Sequence, residues 1–273
     1  MIILAMKPTI PNVLTIAGSD SGGGAGIQAD LKAFSALGAY GASVITALTA
    51  QNTRGVTAIH APDAAFVAAQ LDAVFSDIRI DAVKIGMLAN AGIVRAVAAA
   101  LRQYRPKHVV LDTVMLSKSN HALLAPDAVA ALRDELLPLA SLLTPNLPEA
   151  AALLGVDAAA DEAAMRQQGE ALLRLGAAAV LMKGGHLAAA DSPDWLVQPD
   201  GALRLGGPRV PVKNTHGTGC TLSSAIAALA PQRADLASAV TDAKAYLTGA
   251  LEQSTRLDVG SGVGPVHHFY RWW

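Results

Sequence analysis

A chain of 273 residues with 52 % hydrophobic and 16 % charged side chains has the composition of a globular protein with a large alanine- and leucine-rich core, not of a disordered one. A net charge of −1 with scattered basic residues argues against a nucleic-acid partner and for small-molecule chemistry. No apolar run approaches the ~20 residues of a membrane helix, and the apolar Met1 to Met6 is too short for a signal peptide before Lys7 and Pro8. With a single cysteine and no possible intramolecular disulfide, the expectation is a soluble cytoplasmic protein with no membrane partner.

In chain order, Asn12 to Ala17 reads as a short buried strand followed by a glycine-rich loop. Ile27, Leu31, Phe34 and Leu37 recur at helical spacing, with Gly38 as the stop. Ser43 to Leu48 is β-rich, and Asp63 is a candidate N-cap for a helix carrying Val67, Leu71, Val74 and Phe75. Short apolar strands are predicted at 82–85, 109–111, 142–143 and 179–182, separated by helical patterns at 93–101, 128–137 and 165–175. Trp195-Leu-Val and Leu203-Arg-Leu flank a Gln-Pro-Asp-Gly turn, so a late β-hairpin is expected, followed by helices at 222–229 and from Leu236 to Leu251. Strands alternating with helices predict an α/β fold: a central, mostly parallel sheet with helices on both faces. No linker or repeat interrupts the chain, and residues 1–273 read as a single domain.

In such a sheet ligands sit at the carboxyl ends of strands, and three segments fit that position. Gly18 to Asp30 holds five glycines within nine positions, which suits either close approach to an anion or a tight structural turn; it is neither a Walker A loop nor a dinucleotide fingerprint. Lys213 to Leu222 contains Gly217-Thr218-Gly219-Cys220 at a helix start, where successive amides and the helix dipole make an oxyanion cradle. Cys220 there is either an acidified thiol or a small buried hydrophobe. In Thr144 to Glu149, Asn146 and Glu149 stand three apart, as partners on one side of a helix start or as a plain capping pair. Asp112 and Lys183 end strands, and with the cradle they form a constellation able to hold phosphates and Mg²⁺. His216, His267 and His268 are left outside the site, since lone histidines are more often structural.

These segments resemble the hydroxymethylpyrimidine/phosphomethylpyrimidine kinase family of the ribokinase-like superfamily. The most specific matches are 22–30, Thr49-Ala-Gln-Asn-Thr-Arg-Gly55, Lys84-Ile-Gly-Met87, Thr144-Pro-Asn-Leu-Pro-Glu149, Met182-Lys-Gly-Gly-His186 and Asn214-Thr-His-Gly-Thr-Gly-Cys220. The resemblance implies a homodimer with a ribokinase-like fold. It would use ATP and Mg²⁺ to phosphorylate 4-amino-5-hydroxymethyl-2-methylpyrimidine and then its monophosphate. By similarity Gln51 binds the pyrimidine, with Gly18, Asp30, Met87 and Val114 completing its pocket. Asp112, Asn146, Glu149 and Thr218 serve nucleotide and metal, with Asp112 and Glu149 near Mg²⁺. Lys183 contacts phosphate, and Gly217, Gly219 and Cys220 form the catalytic cradle. The wider superfamily has aspartate as general base where this chain has Cys220. A thiol could lose its proton for the first phosphorylation yet stay neutral beside the anionic monophosphate of the second. Pyridoxal kinase on the same scaffold is the nearest alternative, and a non-catalytic pyrimidine-binding protein a more distant one.

Overall fold

The computed structural model describes residues 9–115, 126–187 and 191–273; the apolar start Met1 to Met6, with Lys7 and Pro8, lies outside the described residues. One nine-stranded sheet runs in the order β3-β2-β1-β4-β5-β6-β7-β8-β9. Its strands are β1 (Asn12–Asp20), β2 (Tyr40–Asn52), β3 (Gly55–His60), β4 (Ala82–Ile85), β5 (His108–Leu111), β6 (Leu142–Leu143), β7 (Val180–Lys183), β8 (Asp194–Gln198) and β9 (Gly201–Leu205). The ladder from β2 through β1 and β4 to β7 is parallel, while β3, β8 and β9 join antiparallel at the two edges. After β1 the chain moves outward to β2 and β3, then returns to β4 on the other side of β1. The crevice beyond the carboxyl ends of β1 and β4 is therefore the topological switch point.

Alternation within strands sorts the core into two layers. Leu14, Ile16, Val83, Ile85, Val109 and Leu111 pack toward α2 (Ala64–Phe75), α3 (Ala91–Tyr104), α4 (Pro126–Ala131), α5 (Leu147–Leu154) and α6 (Glu162–Arg174). Val13, Ala82, Val110 and Leu142 face α1 (Gly26–Ala36), α7 (Thr218–Leu229) and α8 (Leu236–Glu252). Among the described residues no helix is long and apolar enough to cross a membrane.

The expected strands, the late hairpin and the Asp63 cap are all present, Asp63 accepting from Phe66 N at 2.7 Å. Three expectations need correcting. β1 continues past Ala17 to Asp20 across a bulge at Ala17/Gly18, so part of the supposed loop is strand. β3 was not anticipated; it pairs with the far end of β2. The helix expected over 128–137 breaks down into α4, a π turn at Leu132–Leu136 and a 3₁₀ turn at Leu137–Leu139. Pro138 has no N–H to continue the ladder.

The C-terminal segment passes beneath α7, where His268 is buried and its Nε2 lies 3.0 Å from Thr221 Oγ1. Burial, helped by Lys32 and His267, pushes the imidazole down to about 3. An unfolded histidine titrates near 6.5, so this stability is present above that pH and is lost as pH falls toward 3. At about 1.4 kcal/mol per pH unit, roughly 2 kcal/mol is gone by pH 5. In denaturant titrations at pH 7 and pH 5, His268→Gln should lose about 2 kcal/mol less than wild type; equal losses would contradict a buried neutral imidazole.

Candidate active site

The α7 N-terminus differs from its neighbours. Helices α2, α3, α5, α6 and α8 begin on Asp63, Asn90, Asn146, Asp161 and Asp235, each accepting a first-turn N–H. Helices α1 and α7 begin on Ala25 and Gly217 with no side-chain cap, and at α7 the leading amides are available to an exogenous anion. Gly217 has φ +79°, and a Cβ there would stand 1.9 Å from the Gly24 carbonyl oxygen, so no other residue fits. A Cβ built on Gly219 would lie 3.6 Å from both Asp112 Oδ2 and Lys183 Nζ, which places the cradle opposite the acid and the lysine.

Those two come from the ends of β5 and β7. Lys183 Nζ donates to Asp112 Oδ1 at 2.9 Å and lies 3.9 Å from Glu149 Oε2. Burial alone would lower Lys183, but Asp112 and Glu149 hold it above its ordinary value, so it is a fixed cation. Burial would raise Asp112, yet Lys183, Lys84 and the Ser223 hydroxyl keep it low and ionised. Glu149 goes the other way: burial, with Asp112 adding to it, raises its pKa against the pull of Lys183. The capping reading of Asn146 and Glu149 also holds, since Asn146 Oδ1 accepts from Glu149 N at 2.9 Å and Glu149 Oε2 accepts from Asn146 N at 2.8 Å. A third hydrogen bond, from Thr113 Oγ1 at 3.0 Å, fixes the Glu149 carboxylate.

Cys220 sits in the first turn of α7 as expected, but its thiol is not acidified. Burial pushes it up to about 11, with Asp30 and Asp112 adding to the rise and Lys84 opposing it. Helix position alone is a poor guide here, because the thiol is buried.

One cavity of roughly 1240 Å³ joins the cradle, Asp112, Asn146, Glu149 and Lys183 to Gly18, Gln51, Met87 and Val114. That volume exceeds the ~300–1,000 Å³ usual for one small ligand and suits two side by side. Met87 Sδ would be 3.2 Å from a Cβ on Gly18, so the glycine leaves room for the sulfur to form the wall. The other end is lined by Lys244, Leu247 and Leu251 of α8 with Arg209 and Asp194.

Asp30, expected to complete the pyrimidine pocket, does not reach the cavity. It is fully buried behind the wall, where Lys84 Nζ donates to both carboxylate oxygens at 2.9 Å. Thr15 Oγ1 and Ser224 Oγ each donate at 2.6 Å. Lys84 was visible as a lysine within the apolar run 82–85, a pattern that calls for a buried partner.

The glycine-rich loop turns out to bind an internal anion. Asp20 accepts the N–H groups of Gly22 (2.8 Å), Gly24 (3.1 Å) and Ala25 (2.9 Å). A Cβ on Gly26 would fall 2.3 Å from the Gly18 carbonyl oxygen, and one on Gly24 2.5 Å from His216 Cδ2. The close approach these glycines permit is to the chain itself. His216, a lone histidine by sequence, lines the cavity and lies 2.8 Å from Asp20 and 3.2 Å from the Gln51 amide. His267 and His268, by contrast, are buried away from it.

The model of the phosphomethylpyrimidine kinase family matches residues 20–267. The hydroxymethylpyrimidine/phosphomethylpyrimidine kinase of Escherichia coli (strain K12) is 62 % identical over 262 residues, covering 96 % of this chain and 98 % of that protein. The chain belongs to the phosphomethylpyrimidine kinase family. Two solved structures support the fold across it. Phosphomethylpyrimidine kinase from Clostridium difficile 630 matches at TM-score 0.79 and 45 % identity, over 88 % of this chain and 99 % of that one. An ADP complex of Bacillus subtilis pyridoxal kinase matches at TM-score 0.89 and 35 % identity, over 97 % and 100 %. Backbone shape therefore does not separate this family from pyridoxal kinases, and side chains must.

Asp30→Asn should lower stability by about 3–5 kcal/mol, because it strands a buried ammonium, and Asp30→Leu paired with Lys84→Met should recover most of that. Denaturant midpoints check this, and an Asp30→Asn protein as stable as wild type would contradict the buried pair.

Proposed function

We propose that this protein transfers phosphate from ATP first to 4-amino-5-hydroxymethyl-2-methylpyrimidine and then to its monophosphate, as one kinase domain. The observation that carries the reading is the single cavity in which an uncapped helix start, Lys183 and two acids face Gln51. In its favour is the near full-length identity to the E. coli kinase. The Gln51 carboxamide can accept from the 4-amino group and donate to the neighbouring ring nitrogen. Met87, Gly18 and Val114 pack the ring, and the Thr218–Cys220 amides with Lys183 receive the transferring phosphoryl group. No cluster of three metal-ligating side chains occurs among the described residues. Asp112 and Glu149 nonetheless suit Mg²⁺, which is commonly held by one or two carboxylates together with substrate phosphates. They would hold it through water, and when bound it would neutralise phosphate charge. A homodimer and a cytoplasmic location belong to the same proposal.

Cys220 is neutral at rest. With its thiol near 11, only about one molecule in 10⁴ carries thiolate at pH 7, though that thiolate is a strong base backed by Lys84. The alcohol must give up its proton, whereas the monophosphate already carries a nucleophilic oxygen. Phosphorylation of the alcohol should therefore accelerate with pH up to tenfold per unit below 11, while that of the monophosphate stays nearly flat. Matched pH–rate profiles check this, and two parallel profiles would remove Cys220 as the base.

Pyridoxal phosphorylation is the second reading, favoured by the backbone likeness to the B. subtilis pyridoxal kinase. Its ring lacks the aminopyrimidine edge, leaving the Gln51 amide unpaired at about 1–3 kcal/mol, or roughly 5- to 150-fold in kcat/KM. Turnover of the alcohol, its monophosphate and pyridoxal by wild type and Gln51→Ala decides between them. The proposal expects pyridoxal to be the poorest wild-type substrate and Gln51→Ala to erase most of its disadvantage. Equal wild-type efficiency for pyridoxal and the pyrimidine would overturn it, and binding without ATP turnover would indicate a non-catalytic protein.

A further inference from the structure

Gln51 is aimed by its backbone and gripped at both ends. The β2–β3 register shifts between Ala50 and Gln51, and such a bulge re-aims a side chain, here into the cavity. One end of the carboxamide lies 3.2 Å from His216 Nε2, and the other lies 3.1 Å from Thr49 Oγ1. The two ends have the same shape, so proton balance decides which is oxygen.

Two independent counts agree. Asp20, 2.8 Å from His216 Nε2, is held ionised: burial alone would raise it, but His216 and the amides of Gly22 and Ala25 keep it low. An ionised carboxylate only accepts, so Nε2 of His216 carries a proton. That one N–H is shared, mainly with Asp20 and more weakly with the amide, so the facing amide atom is an acceptor, the oxygen. At the other end Thr49 Oγ1 lies closer to the Ser19 carbonyl (2.9 Å) than to the amide (3.1 Å), and its single hydroxyl proton goes to Ser19. The amide atom facing Thr49 must therefore donate, and it is the NH₂. With these bonds made, the carboxamide retains one lone pair on the His216 side and one N–H on the Thr49 side.

We propose that His216, anchored by Asp20, is the positioning residue that fixes the Gln51 carboxamide and so makes the site select a ring with an amino donor at C4 and an acceptor at N3. This rests on Gln51 reading the pyrimidine, as proposed above. The order is the one the reaction needs. The reacting hydroxymethyl group is on C5 and must face the cradle, which begins one residue after His216 at Gly217. Its neighbour, the 4-amino group, then meets the amide oxygen on the His216 side, and N3 meets the NH₂ beyond it. A ring with a 4-oxo group and an N3–H presents the reverse pattern, and it cannot turn over without moving C5 away from the cradle.

The test is the ratio of kcat/KM for the 4-amino alcohol to that for 2-methyl-5-hydroxymethyl-4-pyrimidinone, which cancels losses common to both substrates. Wild type should favour the amino ring by about 100-fold or more. His216→Leu frees the amide to turn over, and the ratio should fall below about 10 even if both rates drop. His216→Gln keeps a donor at nearly the same place and should restore most of the ratio. Thr49→Val loosens the other end and should lower it again, which keeps the proposal testable if His216→Leu does not fold. A ratio unchanged in both His216→Leu and Thr49→Val overturns the positioning role. Gln51→Ala should bring the ratio close to 1; if it leaves the ratio at the wild-type value, Gln51 is not the reader, and the underlying reading fails with the proposal.

Discussion

The buried ion pair between Lys84 and Asp30 ties the switch point of the sheet together. Thr15 and Lys84 are directly paired residues on β1 and β4, Asp30 belongs to α1, and Ser224 to α7. Four elements thus meet on one carboxylate with no exposed surface. A buried pair of this kind is weak support for stability, because apolar residues of similar volume often serve as well. What it supplies is position and charge. It ties α7 to the strands, and it keeps the Lys84 cation near Cys220, where burial would otherwise push the thiol higher still.

From that anchor the site divides by strand. β1 ends in Asp20, which organises the glycine loop from within, and β2 carries Gln51 to the rim. β5 and β7 deliver Asp112 and Lys183 facing each other, and the loop after β6 caps α5 through Asn146, paired with the same Glu149 that approaches Lys183. Each charged group in this cluster is compensated within the protein. The leading amides of α7 have no side-chain cap and face this cluster, which marks where an incoming phosphate would be received.

Much of the fold was legible because its strands are short apolar runs between amphipathic helices, and the α/β alternation follows from period alone. Asp63 as a cap, the hairpin around Gln-Pro-Asp-Gly and the helix start at Gly217 were readable from local chemistry. What could not be read was long-range pairing. Asp30 looked like a pocket residue until Lys84, 54 positions away, was seen to occupy it. His216 looked like one more lone histidine, and only the contact with Asp20, 196 positions away, gives it a role. The acidified thiol fails because burial, which only the assembled fold supplies, raises Cys220, with the distant Asp30 and Asp112 adding to it. The breakdown of the helix before Pro138 was local and could have been foreseen.

The central claim is that one phosphoryl-transfer centre serves both the alcohol and the monophosphate. Lys183→Met tests it most directly, through kcat and KM for each step. The account predicts that kcat falls by about 10³ or more in both steps, while KM for either pyrimidine stays within roughly threefold. Loss of one step with the other intact would contradict a shared centre.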